Sequence, residues 1–135
     1  MTLPSRVDVS EDAKALLRQL TAQHGPLMFH QSGGCCDGSS PMCYLAGEFR
    51  VGGSDVLLGE LKIEGITDPI KVWMSLGQFE YWKHTHLTID AVAGRGGGFS
   101  LETPEGKRFL IRSRIYSDPE WNQLENAAIV TGADQ

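Results

Sequence analysis

The sequence predicts one α+β domain with a β-rich core, an N-terminal helix and a short C-terminal helix. Three observations carry that reading. A single helical apolar stripe, Ala13, Leu16, Leu17 and Leu20, lies near the N-terminus. Short apolar segments fill the middle of the 135-residue chain, interrupted by many of its 16 glycines, a density that marks turns and bulges between strands. Near the end, Ser117-Asp-Pro-Glu120 has the spacing of a capping box.

Taken in order, Ser10 offers a side-chain oxygen that caps a helix, and Glu11 and Asp12 complement its dipole. Gly25 and Pro26 end that helix, with His24 in its last turn. Pro26 to Ser32 reads as a strand. Leu27, Phe29 and Gln31 face one side and Met28, His30 and Ser32 the other, because strand side chains alternate. Gly47 to Ile63 reads as a hairpin turned at Gly52-Gly53, with Val56, Leu57 and Leu58 in the returning strand. A turn over Gly65 to Pro69 precedes a strand over Ile70 to Met74. Ser75 to Lys83 fits a short helix as well as a strand.

Leu87 to Val92 alternates as a strand, and Gly94-Arg-Gly-Gly-Gly98 reads as a bulged turn, with Arg95 anchoring a carboxylate such as Asp90. A second hairpin joins Phe99–Glu102 to Lys107–Arg114 across Thr103 to Gly106, setting Phe109 and Ile111 against Arg108, Leu110, Arg112 and Arg114. Trp121, Leu124 and Ala128 line the last helix, over about 118–129, and 130–135 reads as a loose tail. The core spans about 7–116, residues 1–135 read as one domain, and repeats and linkers are absent from the sequence.

Composition narrows the function. A net charge of −5 argues against general nucleic-acid binding, which needs a basic face. No apolar run approaches the roughly 20 residues of a membrane span. The N-terminus lacks the apolar region of a signal peptide, so the expected location is cytoplasmic, where thiols stay reduced. Three cysteines, an odd number, suit a disulfide scaffold poorly.

The chemistry-bearing stretch is Ser32-Gly-Gly-Cys-Cys-Asp-Gly-Ser-Ser-Pro-Met-Cys43, which holds every cysteine of the chain. Thiolates are soft ligands and good nucleophiles. Cys35, Cys36 and Cys43 can supply three ligands, with His30, His84 or Asp37 as a fourth, to zinc, iron or an iron–sulfur cluster. Adjacent cysteines diverge on a strand but converge in a glycine-flanked turn. Alternatively, Cys35 or Cys36 is a nucleophile activated by His84 or His30, with the Gly33-Gly34 amides holding an oxyanion. A reversible bridge from Cys35 or Cys36 to Cys43 is a third option, and buried structural thiols a fourth.

Elsewhere the bland readings lead. His84-Thr85-His86 places two imidazoles on one side of a strand, a pattern of metal sites and equally of ordinary surfaces. Arg108, Arg112 and Arg114 suit an anion or a partner, but surface pairing with Glu60, Glu102 or Glu105 is the simpler reading. Phe79, Tyr81, Trp82 and Phe99 read as core.

Beyond residue chemistry, Phe29 to Cys43, Asp55-Val-Leu-Leu-Gly59, Gln78-Phe-Glu-Tyr-Trp82, His84-Thr85 and Gly94 to Ser100 closely resemble a family of small bacterial proteins, the domain-of-unknown-function 779 family. The resemblance extends from about Val7 to Arg114. It implies an accessory role in aldehyde and alcohol oxidation, since members are often encoded beside aldehyde dehydrogenases; an aldehyde dehydrogenase is then the implied partner. It also favours His84 over His86. More weakly, Val7-x-Val9-Ser10-x-x-Ala13 followed by a strand and Gly33-Gly34-Cys35 resembles the opening of the A-type, HesB-like iron–sulfur carriers, implying a HesB-like fold. Their C-terminal Cys-Gly-Cys pair has no counterpart after Cys43.

The leading expectation is a cytosolic metal- or cluster-binding accessory protein with its site in the Gly33–Cys43 loop and His84 or His30 completing the ligands. A cysteine-dependent enzyme acting on a small carbonyl compound is the second, with Cys35 or Cys36 as nucleophile and His84 as base. A docking module for a dehydrogenase is the third, presenting Tyr81, Trp82 and the arginine strand. A homodimer through an edge strand is compatible with each.

Overall fold

A computed structural model of the chain describes residues 6–31, 41–47, 51–94, 106–125 and 130–131. The apolar stripe near the N-terminus becomes helix α1 (Glu11–His24), with Ala13, Leu16, Leu17 and Leu20 buried. Ser10 Oγ accepts the Ala13 N–H at 3.2 Å, and Gly25, at φ 98°, ends the helix by donating its N–H to the Thr21 carbonyl. Only glycine adopts that φ without strain, so the stop is written in the residue type.

The strands form two sheets. In the smaller, β1 (Val7–Val9) runs parallel to β6 (Thr85–Ala93), and β6 pairs antiparallel with β7 (Lys107–Ile115), giving the order β1-β6-β7. In the larger the order is β3-β2-β5-β4-β8, built from β2 (Leu27–Gln31), β3 (Met42–Leu45), β4 (Val56–Leu61), β5 (Ile70–Met74) and β8 (Val130–Thr131). β2 and β5 are parallel; the other neighbours are antiparallel.

The two sheets pack face to face. Leu87, Ile89, Ala91, Phe109 and Ile111 of the small sheet share one core with Leu27, Phe29, Cys43, Val56, Val72 and Met74 of the large sheet and with the α1 stripe. Phe29 meets Phe109 edge to face, ring centroids 4.9 Å apart, at the centre of that contact. Truncating such a fully buried ring costs about 3–5 kcal/mol.

The Ser75–Lys83 ambiguity resolves as helix α2 (Leu76–Trp82). Phe79 and Trp82, three positions apart, are both buried, and the Phe79 N–H closes on the Ser75 carbonyl at 2.9 Å. The capping box forms at α3 (Asp118–Leu124) as its spacing predicts, with Ser117 and Glu120 bonding reciprocally.

The structure bears on three expectations of pairing. β4 has β5 on one side and β8 on the other, and residues 48–50 of the first strand expected for the Gly52-Gly53 hairpin lie outside the described residues. The turn closes on itself: Asp55 N–H donates to the Gly52 carbonyl at 3.1 Å, and the Asp55 carboxylate accepts the Gly52 N–H at 2.9 Å. β7 takes β6 as its antiparallel partner, from Thr85↔Ile115 to Ala93↔Lys107; Phe99–Glu102, its expected partner, lies outside the described residues. The expected loose tail begins with β8, where Val130 and Thr131 pair with Leu57 and Val56. Two residues alone carry no strand signal, and pairing with β4 is what makes them one. Arg95, the side chain of Tyr81 and the 126–129 end of the last predicted helix also fall outside the described residues.

Candidate functional site

β2 is an interior strand, paired on both edges, and all five of its residues are buried. Leu27 and Phe29 enter the main core. Met28 and His30 point the opposite way, onto the outer face of the large sheet, where Trp73 stands beside His30 in the parallel ladder. His30 is 4% exposed and Trp73 2%.

The segment from Val51 to Asp55 crosses over this face. Its last residue sets Asp55 Oδ2 3.0 Å from His30 Nε2. The same oxygen accepts the Gly52 N–H, so the turn from Gly52 to Asp55 aims a carboxylate at the imidazole. An ionised carboxylate only accepts, so in this contact the imidazole Nε2 is the donating side. A histidine oriented in this way is suited to ligate a metal or take up a proton. Val51, Met28, Lys71 and Trp73 line a cavity of about 500 Å³ under the same segment.

The cysteine loop leaves β2 one residue after Gln31 and returns before β3. Cys35, Cys36 and Asp37 lie outside the described residues. Cys43 is fully buried and sits opposite Phe29 in the antiparallel ladder, on the core face. Residues directly opposite share a face, so His30 goes with Met42 and Cys43 with Phe29. Two predicted ligands thus occupy adjacent strands but opposite faces of them. His84 belongs to the other sheet: it precedes β6, is exposed, and stacks at 4.4 Å on Trp121 of α3. Among the described residues, no three His, Cys, Asp or Glu side chains gather as a metal group.

The second histidine of His84-Thr85-His86 meets different neighbours. His86 is 9% exposed, lies 3.7 Å from Asp8 and faces the Tyr116 ring. Burial lowers its pKa, and the Arg114 cation, its cross-strand partner, lowers it further against the opposing pull of Asp8 and Glu120.

The arginine strand is absorbed by ion pairs. Arg112 Nε donates to Asp90 Oδ2 at 2.8 Å, while Asp90 Oδ1 accepts from Ser10 Oγ at 2.6 Å and from the Ala91 N–H. The Ser10 hydrogen bond, then Arg112, holds the Asp90 carboxyl below its ordinary range. Arg114 forms a two-pronged pair with Glu120 at 2.8 and 2.9 Å. That pair, with the Ser117 backbone N–H, lowers the Glu120 pKa to about 2. The surface-pairing expectation therefore holds for Arg112 and Arg114, with Asp90 and Glu120 as partners among the described residues; Glu102 and Glu105 lie outside them.

Sequence reasoning overlooked Asp55, Trp73 and Lys71 as members of a site. The one available signal was Gly52-Gly-Ser-Asp55, a turn whose last residue has a side chain long enough to bond its own backbone and still present a free oxygen edge.

Fold and site together define a small two-sheet α+β protein with a part-buried histidine–aspartate pair on the strand that precedes the cysteines in the sequence. The chain belongs to the family described as a domain of unknown function (DUF779), whose model matches residues 16–115. That span includes His30, all three cysteines, Asp55 and His84. No curated protein matches the chain, and no solved structure does. Among the described residues, no helix is long and apolar enough to cross a membrane.

Proposed function

We propose that this protein binds a zinc or iron ion, or an iron–sulfur cluster, through the thiolates of Cys35 and Cys36 and the imidazole of His30, and serves as an accessory or maturation factor for an aldehyde-oxidising enzyme. The supporting observation is the His30–Asp55 contact of 3.0 Å on the strand that runs directly into the cysteine loop. Metal-bound histidines commonly give their other ring N–H to a carboxylate, which fixes the tautomer and raises the basicity of the ligating nitrogen. A buried imidazole held by an aspartate, followed five and six residues on by two cysteines, suits a borderline-soft ion. In this reading Cys43 packs the core and His84 lies outside the ligand set. The accessory role rests on the family resemblance.

Elemental analysis and the visible absorption spectrum of anaerobically purified protein test the proposal. Stoichiometric metal in the wild type, lost in Cys35→Ser and His30→Ala, is the expected result. Metal-free wild type with no affinity for added zinc or iron overturns it.

The same contact favours one second reading. A carboxylate and an imidazole are also the orienter and base of thiol enzymes; in this reading His30 replaces the expected His84, and Cys35 or Cys36 supplies the thiol. The Cys35 or Cys36 thiolate would add to the carbonyl carbon of a small substrate, with the proton delivered to the carbonyl oxygen as a thiohemiacetal forms. Selective alkylation of one cysteine at neutral pH supports this reading, and thiols that all titrate near ~8.5 exclude it.

A further inference from the structure

We propose that the cavity on the outer face of the large sheet is a binding site for a small uncharged organic molecule with an apolar ring or chain. Its volume, about 500 Å³, lies within the usual range for small-molecule sites. It is too small for a helix or a folded partner segment. A peptide strand cannot add there either, because the cavity lies over β2 and β5, each of which already has a hydrogen-bonded neighbour on both sides. Pro26, Met28, Val51, Pro69 and Trp73 provide apolar walls from three separate stretches of chain. Among the described residues the lining holds one cation, Lys71, and one anion, Asp68, which favour neither sign of ligand charge.

The position gives the cavity a use. Trp73 is shared: it walls the cavity and stands beside His30 in the ladder. The segment over the cavity starts at Val51, which lines it, and ends at Asp55, which holds His30. A molecule lying on Trp73 and Met28 would direct its far end toward the histidine–aspartate pair. The site stands independently of the metal proposal, since none of the lining residues is a proposed ligand.

The test is titration of the full chain with Nile red, an uncharged apolar dye, followed by its fluorescence. Saturable one-to-one binding is expected. Val51→Trp and Ala46→Trp place an indole in the cavity and are expected to weaken binding at least tenfold. Leu76→Trp, at an exposed apolar position on α2, leaves it unchanged. Circular dichroism and thermal melting identify the variants that fold, and two filling variants guard against the loss of one. Absence of saturable binding by the wild type, or binding undiminished in a folded filling variant, overturns the proposal. Metal content measured on the same filling variants separates the two proposals, because they are expected to retain whatever metal the wild type holds.

Discussion

His30 and His86 are both buried histidines on strands, and each lies near an aspartate. Their surroundings make them different groups. Asp55 is within hydrogen-bonding distance of His30 at 3.0 Å, and the loop beyond His30 brings cysteines. Asp8 stands 3.7 Å from His86 and is largely exposed, while Arg114 faces the same ring from the neighbouring strand. One imidazole is oriented by an anion; the other is kept neutral by burial and a cation. Burial alone therefore does not mark a functional histidine. The proposed function singles out His30 by its nearest charge and by the cysteines that follow it in the sequence.

The sharpest way to break this contrast is to delete each ring in turn. His30→Ala is expected to weaken metal binding by about 100-fold or more, whereas His86→Ala leaves it within a factor of about two. Competition with a metallochromic chelator measures both, and equal effects would dissolve the distinction. Next comes the orienting carboxylate. Asp55→Asn should lower metal affinity by about 10–100-fold, with Asp8→Asn as the neutral comparison. Cys43→Ser probes the two faces of the β2–β3 pair. Placing a hydroxyl in the Phe29 core should cost about 1–3 kcal/mol in a urea melt while leaving the metal bound. Loss of metal in a folded Cys43→Ser protein would return that thiol to the ligand set.

The smaller effects concern proton linkage. Burial and Arg114 set the folded pKa of His86 below its ordinary 6.5, so the unfolded chain takes up the proton first. Its contribution is complete above pH 6.5 and is lost as pH falls through the lowered folded value. Thermal melts between pH 7 and about pH 5 should show Tm falling on acidification, with a flatter slope in His86→Phe. Glu120 acts in a lower window. With its pKa lowered from 4.5 to about 2, its contribution is complete above pH 4.5 and disappears toward pH 2. Because this pair is exposed, Glu120→Gln should flatten that window only slightly, and added salt should reduce the difference further.

Much of the fold was legible in the residues because it rests on local signals. Ser10 and Gly25 bound α1, Ser117 and Glu120 cap α3, and the alternation of Phe109 and Ile111 with arginines identified which face of β7 is buried. The differences concern pairing. A glycine pair before an apolar run reads as a hairpin, yet Asp55 closes that turn, and β4 pairs with β5, the strand that follows it, and with the distant β8. Strand pairing is decided by which edges meet once the core has collapsed, and no short window contains that information. The candidate site divides in the same way. His30 was nameable from its place before the cysteine loop, but its partner lies 25 residues away, and nothing near Asp55 names His30.

By itself the sequence determined the first and last helices, the approximate strands, the family resemblance and the concentration of thiols in one stretch, because capping, alternation and residue type act over a few neighbours. Only the tertiary structure decided the two-sheet topology, the contact of Asp55 with His30, the separation of Cys43 from that face, and the cavity walled by Trp73. Each of these depends on residues far apart in the chain being pressed together as the two sheets bury their apolar faces.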